Sequence, residues 1–415
     1  MPKTTLRKAA AALYRRLDAL ARISDEKGAT TRTFLSPAMR RANAAVGAWM
    51  GEAGLAVRED GVGNLIGRLP SKRAAAKTLL LGSHLDTVRD AGRFDGPLGV
   101  LLPIAALEVL RSRGVELPFA VEVVGFSEEE GVRFSSAYLG SKGFCGRLTK
   151  SDLALRDPDG VCVGDALRVL GRPVALPKPA HKAGGLLGYL EVHIEQGPVL
   201  EARGLAAGVV SAIAGQTRAK VVFKGEAGHA GATPMDLRRD ALAGAAAFIV
   251  AVESYARGRM PLVATVGRIA AHPGASNVIA GAAELTLDVR HPRDPGRRAA
   301  LQALEKAGRA IARRRGLSFS LQVTQDNGAV TCSSALTALL SRSVGLSQGT
   351  VLALPSGAGH DAVIVSSIAP VAMLFVRCRR GLSHHPDEFV KRVDIEAALA
   401  IVVDFLMRLA ATPQV

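Results

Sequence analysis

Aromatic side chains are scarce, at 4% of 415 residues, although 48% of the chain is hydrophobic. The core must therefore be filled by Ala, Val, Leu and Gly, and it is large enough to exclude disorder. Basic residues outnumber acidic ones, 53 to 37, leaving a formal charge of +16. That excess comes without an aromatic stacking platform or a nucleic-acid motif, and its densest runs are only Arg313–Arg315 and Arg377–Arg380. Charge of this kind bears on solubility and association more than on fold, so no nucleic-acid partner is expected. No apolar run approaches the roughly 18–20 residues that span a bilayer, so no membrane span is expected either. The basic start leads into a helical pattern without a secretory apolar core, which gives a cytoplasmic expectation. Cys145, Cys162, Cys332 and Cys378 show no CxxC spacing, which argues against a disulfide framework and against a cysteine zinc site. Beyond alanine richness there is neither an internal repeat nor a low-complexity segment.

The chain is long enough for two domains. Apolar positions at helical spacing predict a helix from Thr5 to about Ile23, and Ser36-Pro37 can start a second. Strands are expected at 56–60 and around 64–68, about a Gly/Asn turn. The run Leu79-Leu80-Leu81 reads as a strand buried on both faces. A helix over 98–110 and a strand over 119–126 follow, an order that favours a parallel α/β sheet. Near Ala212 the chain leaves this sheet. Strands at 220–223, 262–269, 283–290 and 318–324, with helices over 236–256 and 297–313, predict an α+β insert at 213–330. Residues 1–212 and 331–415 form the remaining, discontinuous domain. The expected fold is therefore α/β, a mixed sheet with helices on both faces, plus the inserted domain.

Chemistry-bearing residues gather where the strands end. His84 and Asp86 lie two apart after the Leu79–Leu81 strand, so both project to one side of an extended chain. Asp95 lies in the next loop. Ser127-Glu128-Glu129-Glu130 follows the next strand; taken alone it is a solvated acidic loop, because adjacent carboxylates repel. His193 sits in an alternating stretch, where a lone histidine is more often structural than a ligand. The carboxyl ends of parallel strands are, however, where open α/β sheets place their sites.

Together these motifs resemble the di-metal amidohydrolases related to aminoacylases and carboxypeptidases, and within them the allantoate amidohydrolase and N-carbamoyl-L-amino-acid hydrolase branch. The resemblance covers nearly the whole chain. It rests on Gly82-Ser-His84-Leu-Asp86-Thr, Phe94-Asp95-Gly96, Glu129-Glu130-Gly131-Val-Arg133-Phe134, His193-Ile-Glu-Gln196-Gly197-Pro198, Gly228-His229-Ala-Gly-Ala-Thr-Pro234, Ser356-Gly-Ala-Gly-His-Asp361 and Ser383-His384. It implies two divalent cations per subunit bridged by Asp95. His84 and His193 would complete one position, Glu130 and His384 the other. Nitrogen and oxygen donors suit zinc or manganese alike. Asp86 would orient His84, and Glu129 would be the general base.

The resemblance further implies that His229, reaching over from a partner subunit, donates to the developing oxyanion. The insert would then serve as a dimerisation and lid domain of a homodimer. Asn277 and Arg290 would receive a substrate carboxylate, with Gln196 and Gln216 contacting the ureido group. Allantoate hydrolysis is the leading expectation. Hydrolysis of N-carbamoyl-L-amino acids, or a β-ureidopropionase-like activity, is the alternative with the same metals and base. A basic, non-catalytic binding protein is the remaining one, and it would leave the ligand set without use.

Overall fold

The computed structural model describes residues 3–169, 171, 176–182 and 184–412. It divides into two compact units, Met1–Ser211 with Cys332–Leu354 and Gly359–Val415, and Ala212–Thr331 with Pro355–Ala358.

In chain order the strands are β1 (Ala56–Glu59), β2 (Leu65–Leu69), β3 (Thr78–His84), β4 (Ala120–Phe126), β5 (Leu186–Ile194), β6 (Ala207–Ile213), β7 (Gly215–Lys224), β8 (Gly228–His229), β9 (Val263–His272), β10 (Val278–Ile279), β11 (Ala282–His291), β12 (Ser318–Asn327), β13 (Val330–Thr331), β14 (Ala353–Ser356) and β15 (Val371–Val376). The first unit is a mixed α/β structure. Its sheet runs β1-β2-β4-β3-β5-β15-β6, with β14 also paired to β6. The central four strands are mutually parallel, whereas β1, β2 and β6 run antiparallel to their neighbours.

Largely apolar strands explain the centre. Every residue of β3, β4, β5 and β15 is buried, as expected of strands covered on both faces. On one face the helices Lys3–Ala21, Pro97–Ser112, Ser334–Gln348 and Arg392–Ala411 pack into one large cluster of Leu, Val, Ile and Ala. Leu139–Phe144 and Ala362–Val365 pack together elsewhere in the unit, the latter against β5 and β15.

The second unit is a four-stranded antiparallel sheet, β12-β7-β11-β9, with β8 and β10 as a separate pair. Helices Ala241–Arg257 and Asp294–Arg314 cover it, and Phe223, Phe248 and Phe319 meet in its core at centroid separations of 5.1–5.9 Å. The first of these helices begins at Ala241 rather than Asp236. Residues Met235–Leu237 form a single 3-10 turn, and the Asp240 carboxylate caps the true start by accepting from Leu242 and Ala243 N–H. Strand β6 and the helices Ser334–Gln348 and Arg392–Ala411 are additions to the elements expected from sequence.

Candidate active site

Because β3, β4, β5 and β15 are parallel and in register, their carboxyl ends share one edge of the sheet. His84 pairs with Phe126, and Phe375 with His193. The following loops supply Asp95, the Glu128–Glu130 acids and His384. Donor atoms within 4.8 Å of one another form three sets: His84, Asp95 and His193; His84, Glu129 and Glu130; Asp95, Glu130 and His384.

The two buried imidazoles are held alike. His84 Nδ1 lies 3.0 Å from the Asp86 carbonyl, and His193 Nδ1 lies 2.9 Å from that of Ile194. Each carbonyl accepts an Nδ1–H, which leaves Nε2 facing Asp95 Oδ1, at 3.4 Å from His84 and 3.0 Å from His193. On the other side of the same carboxylate, His384 Nε2 is 3.4 Å from Asp95 Oδ2 and 3.5 Å from Glu130 Oε1. His385 points elsewhere, toward Asp387. The donor set fits two cations sharing one carboxylate: imidazole nitrogens converge on both of its oxygens, and the nearby ligands are nitrogen and oxygen without thiolate.

Electrostatics agree with that fit. Burial alone would push the Asp95 carboxyl up, but His193 and His84 hold it well below its usual range. Burial opposes charge on His84, yet Asp86 and Asp95 keep its imidazole well above its ordinary value, and Asp95 raises His193 likewise. Burial and then Asp95 push Glu130 up to about 8. Glu129 is raised well above the carboxylate range by burial, with His84 opposing and Glu130 adding. So many buried acids of one sign in one place call for cations. The Glu128–Glu130 stretch is thus no solvated loop: Glu128 is 1% exposed and Glu129 9%.

Asp86 does more than face His84, whose Nδ1 is 3.4 Å from its carboxylate. Its two oxygens accept from the backbone N–H of Glu129, at 3.0 Å, and of Glu130, at 3.2 Å. One residue of the β3 loop thereby fixes the acidic loop after β4. Gly96 makes the approach of Asp95 feasible. Its φ is 82°, and a Cβ there would sit 2.4 Å from His84 Cε1.

Gln196 belongs to this cluster too, donating to Asp95 Oδ2 at 2.8 Å and to the Ser383 hydroxyl at 3.2 Å. Its buried Oε1 has no hydrogen-bond partner among the described residues. Glu388 was given no role by sequence reasoning, yet it is buried and accepts from Phe94 and Asp95 N–H. An acid four residues past a histidine in a loop leaves no periodic signal, and only the contacts reveal it.

The second unit carries the other predicted residues. His229 is exposed, and its Nδ1 accepts from Gly231 and Ala232 N–H, both at 3.1 Å. In the neutral ring this leaves the proton on Nε2, free to donate. Asn277 lies beside it: its carbonyl accepts from Ala230 N–H, and Val278 pairs with His229. Gln216 and Arg290 face one another across β7 and β11 and share Asp288. Gln216 donates to Oδ2 at 2.7 Å, and Arg290 grips both oxygens at 2.9 and 3.0 Å. Arg290 also lines a groove of about 780 Å³ together with Arg218, Lys220 and Arg268.

Among the described residues, no helix is long and apolar enough to cross a membrane.

Known proteins give this geometry its setting. The chain is 42% identical to a protein named allantoate deiminase from Arabidopsis thaliana, an alignment covering 94% of this chain and 81% of that one. It is 38% identical to an N-carbamoyl-L-amino acid amidohydrolase of Geobacillus stearothermophilus, covering 96% and 98%. Its fold superposes on a crystal structure of a hydantoinase/carbamoylase-family amidase from Burkholderia multivorans with a TM-score of 0.91, 33% identity and coverage of 97% and 98%. The model of peptidase family M20/M25/M40 matches residues 80–411, and the chain belongs to that family.

Proposed function

We propose that this protein is a metal-dependent amidohydrolase that cleaves a ureido C–N bond in a carboxylate-bearing substrate, with allantoate as the substrate and ureidoglycine, ammonia and carbon dioxide as the products. The observation that carries the reading is that buried Asp95 is shared by two donor sets, buried His84 and His193 on one side, Glu130 and the exposed His384 on the other, with Glu129 beside them. Identity to proteins named allantoate deiminase across nearly the whole chain supports the choice of substrate. The similarly long match to N-carbamoyl-L-amino-acid amidohydrolases favours those compounds as the second reading.

His84 and His193 would hold one cation, Glu130 and His384 the other, with Asp95 shared; zinc and manganese both suit these donors. Bound there, two cations would polarise the ureido carbonyl and acidify a water. Glu129 takes a proton from the attacking water and delivers it to the leaving nitrogen. Its burial suits it to hold that proton between the two transfers. Asp86 fixes the Glu129 backbone through its N–H, so that the carboxyl does not wander. Gln196 Oε1, an acceptor lacking a partner, receives a ureido N–H. Arg290 and Asn277 bind the substrate carboxylate, the former through its remaining N–H groups. His229 Nε2–H donates to the carbonyl oxygen as negative charge builds there. In this reading the second unit acts as lid and dimerisation domain, with His229 serving a partner subunit's pocket, and the protein works in the cytoplasm.

The test is ammonia release by purified, manganese-loaded protein, with allantoate and N-carbamoyl-L-amino acids compared side by side. Turnover of allantoate is expected, and turnover of carbamoyl amino acids alone would transfer the activity to the second reading. The Glu129→Gln variant should retain both cations and lose at least about a hundredfold in kcat. Wild-type turnover in that variant would remove Glu129 as the base.

A further inference from the structure

Glu388 lies in the loop after β15 and is 1% exposed. A buried carboxylate is costly unless hydrogen bonds meet its oxygens. Here Oε1 is met by two backbone donors far away in the sequence. Oε1 accepts from Phe94 N–H at 2.7 Å and from Asp95 N–H at 3.2 Å. Oε2 lies 3.2 Å from the Ser383 hydroxyl, which itself donates to Asp95 Oδ2. The Glu388 N–H is bonded to the His385 carbonyl at 3.0 Å, so the side chain is anchored in the His384 loop. The facing loop leaves room for it: a Cβ at Gly92 would sit 2.3 Å from both Cβ and Cδ of Glu388. One carboxylate thus ties the backbone of Asp95 to the loop that presents His384, while Ser383 ties the Asp95 side chain to that same loop.

We propose that Glu388 is a positioning residue for cation binding, locking the Asp95 loop and the Ser383–His384 loop into one arrangement before any cation arrives. Partners that orient ligands in this way govern affinity without touching the metal. A hydrophobic residue of the same size would fill the space but leave the Phe94 and Asp95 N–H groups buried without acceptors. The Asp95 backbone would then lose its tie to the His384 loop, and both cation positions would loosen together, because they share the Asp95 carboxylate. This inference rests on Asp95 as the shared ligand in the reading above.

The experiment compares Glu388→Ala, Glu388→Gln and Ser383→Ala with the wild type in the full chain. It measures manganese stoichiometry after equilibration, apparent manganese affinity by competition with a chelating dye, and urea stability of the metal-free protein. Glu388→Ala should weaken manganese binding about 10–100-fold. Glu388→Gln should recover most of that loss, because its amide oxygen accepts the same two N–H groups. Ser383→Ala, which keeps the backbone contacts, should lose less than Glu388→Ala, and it stands in as the affinity test if Glu388→Ala does not fold. Wild-type manganese affinity in folded Glu388→Ala would overturn the proposal, as would a Gln variant no better than Ala. If Glu388→Ala does not fold, unchanged affinity in Ser383→Ala overturns it. A wild-type protein that takes up no manganese would instead overturn the metal reading itself, and this proposal with it.

Discussion

Loading the site with cations should expel protons, and the apparent affinity should climb steeply with pH. The perturbation is a pH series from 6 to 8 on metal-free protein titrated with manganese. Burial and Asp95 push the Glu130 carboxyl up to about 8. A ligand must shed its proton to bind, so protonation divides the apparent affinity by 1 + 10^(pKa − pH). For Glu130 alone that divisor is on the order of 100 at pH 6 and a few at pH 8, a gain of roughly tens-fold across the series. His84 and His193, raised above their ordinary value beside Asp95, must also give up Nε2 protons and steepen the slope in the same direction. Acid therefore weakens binding and base strengthens it. Calorimetry in two buffers of contrasting ionisation enthalpy counts the protons directly, and more than one should leave per loaded site near pH 7. An affinity flat between pH 6 and 8, or release of less than half a proton, would refute the placement of these groups around shared cations.

Three further outcomes follow from single substitutions. Gly96→Ala forces a side chain into the left-handed region, at a cost of about 1–2 kcal/mol, and drives its Cβ into the His84 ring; urea denaturation and metal analysis should show both a loss of stability and a loss of cation, and full loading would sink the packing argument. Arg290→Ala should raise KM about 10–100-fold, the worth of a charged hydrogen-bonded contact, with kcat nearly unchanged; steady-state kinetics giving an unaltered KM would remove its carboxylate role. Glu122 is buried beside Arg68 at 2.6 Å and His181 at 2.8 Å. Burial pushes its carboxyl up, but His181 and then Arg68 pull it below its ordinary range overall. A folded pKa lowered in this way adds stability that is full above the unfolded value, near 4.5, and fades as pH falls through the folded one. Glu122→Gln should therefore cost about 1–3 kcal/mol at pH 7, with the gap to wild type narrowing at lower pH, and an equal gap at pH 7 and in acid would contradict it.

The strands β3 and β4 were legible because they are buried on both faces and read as largely apolar runs, Leu79–Leu81 the clearest. Their carboxyl-end residues followed from that, since parallel strands bring their ends together. Strand β6 was not legible: it is antiparallel, and its short mixed sequence resembles the approach to a domain boundary. The start of the Ala241–Arg257 helix was misplaced because Pro234 and Asp236 imitate a helix start, while the effective cap is Asp240. Within the site, residue types with ligand chemistry stood out. Asp86 was read for its histidine, but its carboxylate oxygens hold the backbone of Glu129 and Glu130. Contacts from a side chain to distant main-chain N–H groups leave no trace in spacing, which is also why Glu388 stayed hidden.

The position of β15 in the sheet has a consequence for biosynthesis. It is inserted between β5 and β6, strands that are near neighbours in the chain, although it is made only after the whole of the second unit. On the ribosome, Ala212–Thr331 emerges as a continuous segment and can complete its own sheet early. The larger sheet must wait with a gap between β5 and β6 and an unpaired edge on each side of it. Such edges are sticky toward other chains, and closing them across so long a separation is slow. His384 follows β15, so the last of the proposed ligands reaches the ribosome exit behind the strand that closes the gap. A nascent chain halted before Val371 would therefore lack both the closed sheet and His384, one of the three residues proposed to hold the second cation, whatever the metal supply around it.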